Sequence, residues 1–152
     1  MVQESDPKIV RTESIDWTAE KHRDLEYRYK DLSGKHIGAR IEELSPGSTS
    51  SYHHYHTSEE EHVFILTGEA VLFFGDGEHS VAVGDHIWFQ AGDEIAHHFE
   101  NRSESPCTYL VYGERKSNDV VMYPDAQVML VKALDRKQFT YRVRESDDSS
   151  DP

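Results

Sequence analysis

The chain is short of cysteine, of positive charge and of long apolar runs, and each shortage narrows what it can be. Its single cysteine, Cys107, rules out an internal disulfide and is compatible with a reducing compartment. Sixteen basic side chains face 29 acidic ones, a formal charge of −13. Such a field repels phosphate backbones and anionic lipid, so neither a nucleic-acid nor a membrane partner is expected. The longest apolar runs, Val63–Leu66 and Ala70–Phe74, fall far short of the roughly 20 residues that span a bilayer. The opening residues Met1 to Pro7 lack the basic start and apolar stretch of a secretory signal. The expectation is a cytoplasmic protein. No amphipathic helical pattern occupies the centre, and no internal repeat is visible.

The 152 residues, 36% of them hydrophobic, suit one domain with one core. The pattern is of short strands separated by turns. Ile37, Ala39 and Ile41 alternate with polar or small neighbours until Ser45-Pro46-Gly47-Ser48 breaks the run. Glu61 to Leu66 is rich in β-branched and aromatic residues and stops at Thr67-Gly68. Segments 69–74 and 78–83 flank Gly75-Asp76-Gly77, a turn in which glycine accepts positive φ. Strands over 86–89, 96–100 and 108–112 complete the series. Short strands at this spacing predict an all-β sandwich or barrel. The expected organisation is an N-terminal arm over 1–30, a barrel over 31–135, an extension over 136–144 and a disordered acidic tail over 145–152. The arm is expected to add a strand or a short helix to the body.

Eight of the ten histidines lie between His53 and His98. Strand side chains alternate faces, so His54 and His56 point one way while His53 and Tyr55 point the other. Two imidazoles at that spacing can share one metal ion. Thr57-Ser58-Glu59-Glu60 reads as a turn that brings Glu61 back towards them, with Glu60 as the alternative if the loop is one residue shorter. A fourth ligand must come from His97 or His98. His53, His62 and His98 have the wrong parity for the same cavity, and His22, His36, His79 and His86 read as packed or surface residues.

Gly47, His54-Tyr55-His56, Glu61 and Gly68 resemble the first motif of the cupin superfamily, and Gly84-Asp85, Gly92, His97 and Asn101 resemble its second. Gln90 stands where a proline is usual, and the loops after Gly47 and Gly92 are longer than the tightest pattern. The resemblance covers about residues 35 to 113. With Asp119 to Asp125 it extends to stand-alone single-domain cupins, some of which carry a sugar-phosphate isomerase label. It implies a double-stranded β-helix (jelly-roll barrel), a homodimer, and one divalent transition metal held by His54, His56, Glu61 and His97. Three imidazoles and a carboxylate leave open positions and suit Fe, Mn, Ni, Co, Zn or Cu.

Two chemistries follow from such a set. A Lewis-acid metal would serve an isomerase, epimerase or lyase acting on a hydroxy-carbonyl or sugar-type substrate. Iron would serve a dioxygenase. A non-enzymatic metal-binding or sensor module is the third reading. Tyr52, Gln90, His98 and Tyr109 are the unranked candidates for a proton carrier, and Trp88 and Phe99 either line the cavity or belong to the core.

Overall fold

The computed structural model describes residues 8–23, 25–133 and 137–143. The expected tail over 145–152 lies outside them. Among the described residues thirteen strands run in chain order. They are β1 (Thr18–His22), β2 (Leu25–Asp31), β3 (Ile37–Leu44), β4 (Tyr55–His56), β5 (Glu61–Thr67), β6 (Glu69–Phe74) and β7 (Gly77–Ala82). There follow β8 (His86–Phe89), β9 (His97–Glu100), β10 (Cys107–Glu114), β11 (Val120–Tyr123), β12 (Val128–Ala133) and β13 (Lys137–Arg142). Two short 3-10 turns, Thr12–Ser14 and Pro124–Ala126, are the helical elements among the described residues. No helix there is long and apolar enough to cross a membrane.

One wall of the barrel is a six-stranded sheet in the order β1-β2-β3-β10-β5-β8. The opposite wall comes from β7-β6-β9 and β4-β11-β12-β13, which a bridge between His54 and His97 joins. That pair exchanges both backbone hydrogen bonds, His54 N to His97 O at 3.2 Å and His97 N to His54 O at 2.8 Å. The architecture is the expected jelly roll. The arm contributes a hairpin, β1 and β2, whose second strand pairs with β3, and β13 in the extension pairs with β12.

The core between the walls holds Leu44, Val63, Ile65, Leu72, Val81, Phe89, Phe99 and Tyr109. Val63 and Ile65 alternate along β5 with the exposed Phe64 and Leu66, the period-two pattern of a strand with one covered face. Ile65 is fully buried, so Ile65→Ala leaves a cavity and should cost about 2–5 kcal/mol. A urea midpoint that falls with unchanged m-value would confirm it.

Gly68 makes the turn from β5 into β6 at φ +75, and a Cβ there would stand 2.5 Å from the Pro106 carbonyl oxygen. Backbone cannot give way as a flexible side chain can. Gly68→Ala should therefore cost about 2 kcal/mol or more, the left-handed strain plus the clash, and the urea midpoint again reads it. Asn101, buried, ties the loop before β10 by donating to the carbonyls of Leu44 and Ser105 at 2.9 and 2.8 Å.

β3 differs from the simplest reading of its sequence. Its apolar residues suggest an inward face, yet Ile37 is exposed. Register with β10 pairs Arg40 with Val111, Glu42 with Tyr109 and Leu44 with Cys107. Gly38, Arg40, Glu42 and Leu44 therefore face inwards. A barrel interior that accepts an arginine and a glutamate near one end is a cavity, not a continuous core.

Candidate metal centre

β4, β5 and β9 converge near one end of the barrel and carry His54, just before β4, His56, Glu61 and His97 there. His54, His56 and Glu61 each offer a ligand atom within 4.8 Å of one another. Glu61 Oε2 lies 3.8 Å from His56 Nε2, and its Oε1 lies 3.3 Å from His97 Nε2. Glu60 instead turns to His62, with Oε1 2.8 Å from Nε2, so Glu61 is the carboxylate that faces the imidazoles.

The ring orientations are set from behind. His54 Nδ1 lies 2.7 Å from the Tyr52 carbonyl oxygen, which only accepts, so Nδ1 carries the hydrogen and Nε2 keeps its lone pair. His56 Nδ1 lies 2.7 Å from Asp119 Oδ2, with the same consequence. A carboxylate or carbonyl behind an imidazole that turns its other nitrogen to a shared point is how metal-binding histidines are oriented. His97, buried, stacks flat on Phe89 with ring centroids 3.5 Å apart. Its Nδ1 is buried without a hydrogen-bond partner.

The electrostatics suit a cation. Burial, with the neighbouring His97 and His56, lowers the His54 pKa to about 4, so the ring is neutral at physiological pH. Burial alone would raise Glu61, but the hydrogen bond from His97 and attraction to the protonated forms of His97, His54 and His56 in acid outweigh it and bring the pKa to about 2. An ionised carboxylate beside the neutral His54 ring, with His56 and His97 close by, is a donor set a divalent transition metal fits.

Asp119 was not among the sequence candidates. It is completely buried and accepts from the Ser58 and Glu59 amides at 3.0 and 3.2 Å as well as from His56. Lys132 Nζ lies 3.2 Å from its Oδ2 and also contacts Glu59. His56, Glu59 and Asp119 form a second cluster of donors, but the Lys132 ammonium already bridges its two carboxylates. Its work is to fix His56.

Glu42 was also missed. A cavity of about 160 Å³ is lined by Glu42, His54, Glu61, His97 and Tyr109. Tyr109 donates its hydroxyl hydrogen to Glu42 Oε2 at 2.9 Å. Burial pushes the Glu42 pKa from 4.5 up to about 7, although Tyr109 and Arg40 pull the other way. A carboxyl raised on folding contributes stability fully below its unfolded value, near 4.5, and loses it as pH rises through about 7. Replacing it by glutamine, which does not titrate, should flatten this fall. Urea unfolding of the metal-free wild type and Glu42→Gln should give curves that diverge between about pH 5 and 7. Parallel curves would show that Glu42 titrates normally.

The other sequence candidates scatter. Tyr109 meets the cavity through Glu42, and Gln90 lines a small recess beside Glu61 and His97. The Tyr52 hydroxyl is bound to His22 Nδ1 at 2.7 Å, away from the cluster. His98 stacks on Phe73, and its Nδ1 is 2.9 Å from His53 Nδ1. Trp88 is 53% exposed and stacks with His62 on the outer face, while Phe99 lies in the core.

Fold and site together define a small double-stranded β-helix with a histidine–glutamate cluster near one end. Residues 40–113 match the model of the cupin domain. A solved cupin-superfamily sugar phosphate isomerase from Silicibacter pomeroyi is 27% identical with a TM-score of 0.79, over 93% of this chain and 98% of that one. A provisionally named sugar phosphate isomerase from Acidithiobacillus ferrooxidans is 25% identical with a TM-score of 0.78, over 85% and 86%. A provisionally named oxalate decarboxylase from Thermotoga maritima, 22% identical over 72% of this chain and 100% of that one, shares the fold at a TM-score of 0.63. A comparison with curated proteins finds no match. Residues 40–113 carry a cupin domain, and the chain's structural neighbours are cupin-superfamily proteins.

Proposed function

We propose that the chain binds one divalent transition metal through His54, His56, Glu61 and His97, and that it is an enzyme acting on a small hydroxy-carbonyl or sugar-type compound as an isomerase, epimerase or lyase. The observation that carries this reading is the double restraint behind the imidazoles: the Tyr52 carbonyl and the Asp119 carboxylate tie each Nδ1 and leave each Nε2 free. The names of two similar structures, both sugar phosphate isomerases, support the choice of substrate class.

The bound ion would supply Lewis acidity to a carbonyl or hydroxyl oxygen of the substrate and so acidify the adjacent C–H. Glu42 lines the same cavity at a pKa of about 7, which suits a group that takes a proton and returns it. Tyr109 donates to Glu42 and holds that carboxyl in place. The buried Phe89 and Phe99 behind the cluster keep water from its inner side.

The test is turnover of a panel of hydroxy-aldehydes, ketoses and hydroxy acids by metal-loaded and metal-stripped protein, followed by proton NMR in D₂O. Metal-dependent interconversion or exchange of the C–H next to the carbonyl is the expected result. No exchange with any metal, alongside oxygen uptake by the iron form with an aromatic diol, would replace this reading with a dioxygenase. Neither activity would leave a binding module.

A further inference from the structure

A larger cavity of about 320 Å³ opens from the cluster, lined by His56, Glu61, Glu42, Arg40, Arg115 and Lys132. Its charges are unevenly satisfied. Lys132 is held by Glu59 and Asp119. Glu60 pairs with His62 and Glu114 with Lys116, at 2.8 and 3.0 Å. Glu42 receives the Tyr109 hydroxyl. Elsewhere Arg28 and Arg102 each hold a glutamate, at 2.7 and 2.8 Å. Among the described residues, neither Arg40 nor Arg115 has a carboxylate within salt-bridge distance.

Both arginines are placed by the fold rather than left loose on a surface. Arg40 is half-buried on the inward face of β3, and its guanidinium lies 4.3 Å from the Tyr29 ring centroid. Arg115 donates from Nη1 to the Gly34 carbonyl at 3.3 Å, and from its backbone amide to His36 at 2.9 Å. Its stem crosses Gly38, where a Cβ would stand 3.4 Å from Cγ. Gly38 and Arg40 lie two apart on one face of β3, so the two guanidiniums belong to the same side of the opening. Asp31 is the nearby carboxylate that feels both, and the Ser33 hydroxyl and amide hold it low. In a chain of formal charge −13, two unpaired guanidiniums at one opening are an exception to the surrounding field. An arginine facing into a barrel loses hydration and needs an anion to offset that cost.

We infer that Arg40 and Arg115 bind the carboxylate or phosphate group of an anionic small molecule whose other end reaches the histidine–glutamate cluster. This rests on the proposed reading of the site and adds the charge class of its substrate. Guanidinium forks match both anions in planar, two-point fashion. The cavity is large enough for a compound with a few carbons beyond that group.

The experiment titrates inorganic phosphate, and separately malonate, into four folded proteins by calorimetry. These are the metal-loaded wild type, Arg115→Gln, Arg40→Gln/Arg115→Gln and His54→Ala/His56→Ala. Metal content and circular dichroism are recorded for each. Loss of a charge-assisted contact should weaken anion binding about tenfold per arginine. The expected pattern is that weakening in both arginine variants, with their metal content unchanged. Binding should persist in the histidine variant, and the tighter of the two anions identifies the group. Arg115 is exposed, so its single variant keeps the test valid if the double variant fails to fold. Equal binding by wild type and arginine variants, binding lost in the histidine variant alone, or no binding by any protein would overturn the inference. A wild type that retains no ion from any metal offered, yet still binds anion through the arginines, would sink the metal reading and leave this one standing.

Discussion

His54→Ala/His56→Ala is expected to bring metal content from about one ion per chain to background, because a transition metal left with one imidazole and one carboxylate loses half of its protein donors. The substitution should spare the fold. The pairing between His54 and His97 runs through backbone atoms, and neither His54 nor His56 belongs to the hydrophobic core. Stripping the rings also removes two of the groups that hold Glu61 near a pKa of about 2. The carboxylate then keeps His97 as its remaining imidazole neighbour in the cluster. Elemental analysis beside circular dichroism reads both effects. A folded variant that retains a full complement of metal would show that the ion sits elsewhere.

The second large effect is expected at Asp119, which touches no metal. Asp119→Asn keeps the shape of the side chain and one oxygen for the Ser58 and Glu59 amides. In that orientation it presents an NH₂ where His56 Nδ1 now donates to a carboxylate oxygen. Two donors cannot face each other, so the His56 ring must shift its hydrogen to Nε2 or turn away. Either outcome removes Nε2 as a donor to the shared point. Metal affinity should fall about 10–100-fold, measured by competition with a chelator of known strength. Asp119→Ala adds a structural loss, since the Ser58 and Glu59 amides lose their acceptor at about 1–3 kcal/mol for each amide left unsatisfied, while Lys132 keeps Glu59. Unchanged chelator competition in the asparagine variant would show that Asp119 acts in folding alone.

The two variants also explain how far the sequence could be read. The period of two along 53–56 places His54 and His56 on one face without any structure, and a turn over 57–60 returns Glu61 to them. Those inferences need only local geometry, and the turn glycines carry the same local information. Asp119 could not be found that way. It lies 63 residues from His56 in sequence, and only the pairing of β11 with β4 brings the two together.

β3 shows a different limit. Ile37, Ala39 and Ile41 look like its inward face, but register with β10 is set by Leu44 and Cys107, both fully buried. A shift by one residue exchanges every side chain between faces. That register puts Arg40 and Glu42 inside, so the cavity's own charges lie on the face that hydropathy would assign to solvent. Trp88 illustrates the converse. Its neighbours Ile87 and Phe89 pack inwards while the indole stands on the outer face against His62.

The central claim is that four named side chains hold one metal ion. Its most direct test is elemental analysis of the untagged protein, as purified and after incubation with each of iron, manganese, cobalt, nickel, copper and zinc followed by desalting. About one retained ion per chain, with the same protein going to background when His97→Ala is introduced, is the result predicted for a site with three imidazoles and one carboxylate. No retained ion from any of the six, in folded protein, would contradict it.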